Sequence, residues 1–93
     1  MDYENIFIGG EWREPASGKR ISVECPANRQ IIGSCPEATE QDVDVAVNAA
    51  EAALAAPQWS ATSGEDRASY IDALTAAIKS RTDDLAACAA QEI

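Results

Sequence analysis

An α+β segment, a short antiparallel hairpin or meander followed by about three α-helices, is the fold class that residues 1–93 predict. Three observations carry it. Short β-prone runs alternate with turn residues up to the break near Pro36. Beyond that break, apolar residues recur at helical spacing behind recognisable cap signals. Proline and glycine fall between these runs rather than inside them, apart from Gly33. The chain therefore divides into residues 1–35, a β-hairpin or meander, and residues 36–93, a helical segment.

The elements follow in order. Asn5-Ile6-Phe7-Ile8 precedes Gly9-Gly10, and Glu11-Trp12-Arg13 follows. A Gly-Gly pair between two such runs signals a hairpin, because tight primed turns need the positive φ that glycine adopts freely. Pro15-Ala16-Ser17-Gly18 is a second turn. Ile21 and Val23 then alternate with Arg20, Ser22 and Glu24, the period of a half-buried strand. Pro26-Ala27-Asn28-Arg29 turns the chain into Ile31-Ile32-Gly33-Ser34-Cys35, and Pro36 ends that strand by lacking a ladder donor.

In the second half, Thr39 and Asp42 have the spacing of a capping box. Val43, Ala46, Val47, Ala50 and Leu54 then form one stripe of a helix over about 40–56, which Pro57 stops. Trp59 and Ser60 close the loop that follows. Ser63 and Asp66 open a second helix, with Arg67, Ile71, Leu74 and Ile78 on one face. Thr82, with Asp83 and Asp84 compensating the helix dipole, opens a third, carrying Leu85, Cys88 and Ala89. That third helix reaches Ile93 without a terminal glycine, asparagine or proline, so its pattern reads as cut short.

Composition bounds what these elements can build. The hydrophobic class makes up 46% of the chain, but 19 of its members are alanine, and Leu, Ile, Val and Phe together number only 16. So few large aliphatic residues, with a net charge of −9, place the chain near the disordered class unless other surface covers it. The expectation is a piece rather than a self-sufficient domain. Some of Val43, Val47, Leu54, Ile71, Leu74 and Ile78 should face surface that other polypeptide covers.

Charge excludes further classes. Residues 36–93 carry eleven acids against three bases, so contact with nucleic acid or an anionic membrane surface is not expected. No apolar run approaches the ~20 residues of a membrane span. The acidic start, Met1-Asp2-Tyr3-Glu4-Asn5, lacks the basic region of a signal peptide. Three cysteines, an odd number, favour free thiols and a cytoplasmic location, although a Cys25–Cys35 bridge across a hairpin is sterically open.

Chemistry is sparse. There is no histidine, hence no commonest general base or metal ligand. Cys25 and Cys35 precede prolines at strand ends, and Cys88 lies among alanines. None has a base or a helix N-terminus beside it to activate the thiol. The Gly9-Gly10 pair lacks the spacing of a phosphate-binding loop and leads into a strand. Trp12 reads as a packing anchor and Tyr70 as a helix-face residue. The expected assignment of catalytic, cofactor-binding and metal residues within 1–93 is none.

The order of these pieces resembles the opening of the NAD(P)-dependent aldehyde dehydrogenase superfamily. Ile6-Phe7-Ile8-Gly9-Gly10-Glu11-Trp12 is similar to that family's first strand and turn, and Ala16-Ser17-Gly18, Ile21-x-Val23, Pro26 and Ile31-Ile32-Gly33 continue it. Ala38-Thr39-x-x-Asp42-Val43-Asp44-x-Ala46-Val47-x-Ala49-Ala50 resembles its first helix. Trp59-Ser60, Glu65-x-Arg67-Ala68 and Arg81-x-Asp83-x-Leu85-Ala86 follow in order. Two departures are local: Cys25 stands where the family commonly has asparagine, and the usual turn glycine is missing near Asn28-Arg29.

The resemblance implies a larger α/β aldehyde dehydrogenase fold of which this is the N-terminal segment. It implies that residues 36–93 flank a coenzyme-binding domain. In such a parent enzyme a cysteine thiolate attacks an aldehyde, hydride passes to NAD+ or NADP+, and the thioester is hydrolysed to a carboxylic acid. The family's nucleophile, general base, oxyanion donor and dinucleotide-binding strands match no residue here, and none of the three cysteines stands at the nucleophile's position. The implied partners are the remainder of the polypeptide, an aldehyde and, for the whole enzyme, further copies in a homo-oligomer. From a different class, the acidic helices also suit a free-standing protein-interaction module. An acyl carrier is disfavoured by the lack of an Asp-Ser-Leu site.

Overall fold

Two separate hairpins and a run of four helices make up the computed structural model, which describes residues 1–93. β1 (Ile6–Ile8) and β2 (Glu11–Arg13) pair antiparallel with Phe7 opposite Trp12. Gly9 and Gly10 take φ of 63° and 84°, so both central turn residues sit in the left-handed region that a primed hairpin turn requires. The Phe7 and Trp12 rings lie 5.2 Å apart between centroids and tilt by 59°, a favourable aromatic pair that anchors the hairpin.

β3 (Arg20–Glu24) and β4 (Ile31–Pro36) form the second hairpin, with a bulge between Val23 and Glu24. Its turn is held by Cys25 N–H donating to the Gln30 carbonyl (2.9 Å) and Arg29 N–H donating to the Cys25 carbonyl (2.8 Å). The Asn28 side-chain oxygen accepts from Gln30 N–H at 3.0 Å. Arg29 has φ of 59°, the conformation in which a Cβ is penalised. This is where the turn glycine is missing. Arg29→Gly should therefore stabilise the hairpin by roughly 0.5–1 kcal/mol. Slower amide exchange at Cys25 would register the gain, and unchanged or faster exchange would contradict it.

The two hairpins do not join into one meander. Residues 14–19 cross between them, and there Pro15 has no donor while Ala16 N–H is claimed by the Asp42 carboxylate. The remaining edge of β4 is occupied instead by the N-terminal residues. Asp2 bridges Ser34 in parallel, with Tyr3 N–H donating to the Ser34 carbonyl (3.0 Å) and Ser34 N–H to the Met1 carbonyl (3.1 Å). A Cβ on Gly33 would collide with the Met1 carbonyl, so this close approach requires glycine. Arg20 fastens the strap, donating to the Tyr3 carbonyl (2.7 Å) and Ser34 Oγ (3.0 Å) and pairing with Glu4 (3.2 Å).

α1 spans Glu40–Ala55 behind the Thr39/Asp42 capping box, and α3 spans Gly64–Ser80 behind a second box formed by Ser63 and Asp66. Between them α2 (Pro57–Ser60) is a single turn, so the helices number four rather than three. Pro57 ends α1 yet suits the first turn of a new helix, where its missing N–H is no loss. α4 runs Thr82–Glu92. Here the expected cap fails: Thr82 is the first helical residue, and its hydroxyl donates back to the Lys79 carbonyl at 2.9 Å. Its O–H thus turns back to α3, and Arg81, which holds the cap position, gives α4 no side-chain cap.

No hydrophobic residue is buried, and Asp42, at 7% exposure, is the one buried residue of any kind. The accessible surface is 7342 Å². A closed monomer of this mass would expose about 5,200 Å². The radius of gyration is 17.0 Å, against about 12 Å for a compact chain of this length. The expected open form is present: roughly 2,000 Å² of surface that a self-contained fold would cover is left bare.

Candidate functional site

α1 has two apolar faces, and they meet different surroundings. Along one side Ala46, Ala49, Ala50, Ala52 and Ala53 line an open groove with Phe7 and Ile8 of the β1–β2 hairpin. A Cβ on Gly9 would lie 3.5 Å from Ala49 Cβ, so the small residues on both sides permit the approach. On the other side Val43, Val47 and Leu54 are at least half exposed. The equivalent face of α3, with Ile71, Leu74 and Ile78, is equally bare, and all six residues are between 50% and 66% exposed. Contiguous apolar helix faces of this kind mark contact surfaces.

The first helix is tied to the β half through Asp42. Its carboxylate accepts from Thr39 N–H (2.8 Å), closing the capping box, and also from Ala16 N–H (3.0 Å) in the crossing loop. Those hydrogen bonds favour the ionised form, and the Thr39 N–H, the largest influence, holds the carboxyl below its ordinary value of 3.8. The corner between α2 and α3 is fixed differently. The Arg67 guanidinium lies 4.7 Å from the Trp59 ring centroid, and its Nε donates to Thr62 Oγ1 at 3.0 Å. The Thr62 hydroxyl donates to the Trp59 carbonyl at 2.6 Å, while Tyr70 flanks the same ring at 6.3 Å. Trp59 thus closes the loop, as its position after Pro57 suggests. Arg67 is more than a stripe residue, since its stacking orients the start of α3.

The cysteines lie apart. Cys35 faces Ile21 across the second hairpin, Cys25 follows the end of β3, and Cys88 on α4 places Sγ 3.7 Å from Met1 Sδ. All three are free and half-buried. No three His, Cys, Asp or Glu side chains converge. The Gly9-Gly10 turn feeds a strand, and the N-termini of α1 and α3 are filled by their own Asp42 and Asp66 carboxylates. At those two helix starts the amides are not free for the phosphates of a dinucleotide, which need them.

Neither the Asp42–Ala16 tether nor the Arg20 clamp was visible in the sequence. Their partners are 26 and up to 17 positions away, beyond the reach of any local pattern.

Two hairpins leading into a capped helix with an exposed apolar face make up the chain, and that face is left open within it. The model of the aldehyde dehydrogenase family matches residues 12–93, and the chain belongs to that family. It is 47% identical over 81 residues to aminoaldehyde dehydrogenase 2 of Solanum lycopersicum, covering 87% of this chain and 16% of that protein. Against aminoaldehyde dehydrogenase ALDH10A8, chloroplastic, of Arabidopsis thaliana, identity is 46% over 89 residues, covering 92% of this chain and 18% of the relative. A crystal structure of Mycobacterium tuberculosis aldehyde dehydrogenase complexed with NAD+ superposes with a TM-score of 0.85 at 38% identity. It covers 90% of this chain and 17% of its own. The chain thus spans about one sixth of the length of the proteins it matches. Its open arrangement is one that a complete dehydrogenase holds.

The lowered Asp42 pKa sets a pH dependence. Because the folded value lies below the unfolded one, the stabilisation is present above about 3.8 and is lost as pH falls through the folded value. Helix content by circular dichroism should exceed that of Asp42→Asn throughout the range from about pH 7 to 5. The gap should close only below 3.8. A gap independent of pH would contradict the assignment.

Proposed function

We infer that this chain is the framing segment of an NAD(P)+-dependent dehydrogenase that oxidises an amino-substituted aldehyde to its carboxylic acid. The observation that carries this reading is the 47% identity to an aminoaldehyde dehydrogenase over 87% of the chain. The superposition on a structure solved with NAD+ supports the choice of coenzyme. Residues 1–35 supply a peripheral pair of hairpins, and residues 36–93 pack their helices beside the coenzyme-binding domain. No catalytic, coenzyme-binding or metal-binding residue is assigned within 1–93. The nucleophile, the base and the dinucleotide site belong to the remainder of the polypeptide.

The chemistry is therefore the whole enzyme's, and what this chain contributes is shape. Its capped helices present small and aliphatic side chains at fixed spacing, and its hairpins hold the first helix in place through Asp42. A homo-oligomer is proposed for the complete protein. A reducing compartment, the cytoplasm, is proposed from the three unpaired cysteines. Plant relatives carry chloroplastic and peroxisomal designations, which describe those proteins.

The test is a pair of assays. The polypeptide that carries this segment at full family length should reduce NAD+ or NADP+ when given an aminoaldehyde. The 93-residue chain, titrated calorimetrically with either dinucleotide, should give no saturable heat. Absence of aldehyde-dependent reduction by the full polypeptide would overturn the activity, and saturable binding by the short chain would overturn the assignment of its residues.

A further inference from the structure

The bare face of α1 carries an electrostatic signature as well as an apolar one. At 3.6 residues per turn, Val43, Val47, Ala50 and Leu54 share one stripe, and Glu40, Asp44 and Glu51 fall along a single edge of it. The opposite edge of the stripe is the alanine row against the hairpin. None of these three acids forms an ion pair within the chain. The chain's two ion pairs are Arg20 with Glu4 and Arg81 with Asp84, and neither involves a residue of α1. No lysine or arginine occurs between Arg29 and Arg67, an interval that holds seven acids.

Helix physics accounts for only part of this charge. Glu40 and Asp42 sit in the first turn, where the positive end of the dipole welcomes them. Glu51 does not: it stands near the negative end, and the last turn has no basic residue to offset that end. Its placement is unfavourable for α1 alone. An acid edge beside a bare aliphatic stripe becomes favourable when the covering surface brings cations. The roughly 2,000 Å² of excess exposure is of the size that a specific interface buries.

We propose that the open face of α1, Val43, Val47 and Leu54, is covered in the complete enzyme by an apolar segment of the same polypeptide whose lysine or arginine side chains pair with Glu40, Asp44 and Glu51. This rests on the reading that the chain is part of a longer dehydrogenase. It adds the chemistry of the surface that α1 meets. Arginine or lysine on the far side would satisfy both the carboxylates and the electronegative end of α1, and the aliphatic stripe would be dry beneath them. The occupant is intramolecular rather than a second copy, because a second copy would bring the same acids and repel.

The test uses the full-length enzyme. Single cysteines are placed at Val47, on the stripe, and at Asn48, one position further round toward solvent. Maleimide labelling of each peptide is followed by mass spectrometry. Val47→Cys should label at least about tenfold more slowly than Asn48→Cys, because its face opens only with local unfolding. Equal rates would overturn the docking. Separately, the triple variant Glu40→Gln, Asp44→Asn, Glu51→Gln should melt below the wild type in low salt, with the difference shrinking as salt screens the pairs. Melting at or above the wild type, the result expected if these acids only repel one another, would overturn the basic partner. Aldehyde-dependent coenzyme reduction, measured on the same preparations, reports separately on the underlying reading. An active enzyme with equal labelling rates fails only this proposal, whereas a protein without activity fails the reading beneath it.

Discussion

Heated alone, the 93-residue chain should lose its helical signal gradually and give no heat-capacity peak. Cooperative unfolding needs a shared core, and no apolar side chain here is buried. Each β-sheet has two strands, an arrangement that is marginal in water without further packing. α1 and α3, at 16 and 17 residues, are barely long enough to persist in isolation even with good caps. A closed domain of this length would absorb about 65 kcal/mol at its midpoint. A single sharp transition with an enthalpy of that order, from a monomer with dispersed methyl resonances, would contradict the open form and favour the free-standing module.

Charge inserted on the bare faces should separate the isolated chain from the complete enzyme more strongly than any other substitution. Val47→Asp and Leu54→Asp place a carboxylate where the isolated chain has solvent, since both residues are at least half exposed. Changes at such positions fall within about 0.5 kcal/mol. In the complete enzyme the same carboxylate would be buried without a partner, beside acids that already crowd that edge. An uncompensated buried charge costs at least about 3 kcal/mol, enough to deplete the folded enzyme. Expression level and thermal midpoint of the full-length variants are the readouts. Wild-type values for both variants would show that α1 faces water in the enzyme too.

What the sequence discloses here is mostly local. Gly9-Gly10, Thr39 with Asp42, Ser63 with Asp66, and Pro57 each act on residues within four positions, and each structure they imply is present. Pro57 is instructive because it performs two tasks, ending α1 and starting α2, and only the first is obvious from pattern. Thr82 misleads for a related reason: a hydroxyl can serve the helix before it or the one after, and spacing does not say which. The long-range ties are illegible. Nothing in Ala16 announces that its amide meets Asp42, and nothing in Arg20 announces Tyr3. The separation of the hairpins follows from these same ties. The openness of the fold, in contrast, was readable, because an alanine-rich chain with sixteen large aliphatic or phenylalanine side chains cannot enclose a core.

Hydrogen exchange of α1 and α3, compared between the isolated chain and the full-length polypeptide, tests the central claim most directly. The claim is that these helices are held by surface outside residues 1–93. Amides within Glu40–Ala55 and Gly64–Ser80 should exchange within about tenfold of unstructured rates in the isolated chain, because each helix opens at little cost. In the full polypeptide the same amides should be slowed by several orders of magnitude, since opening them then requires separating a buried interface. Equal protection in the two samples would contradict the account. It would mean that these helices hold themselves.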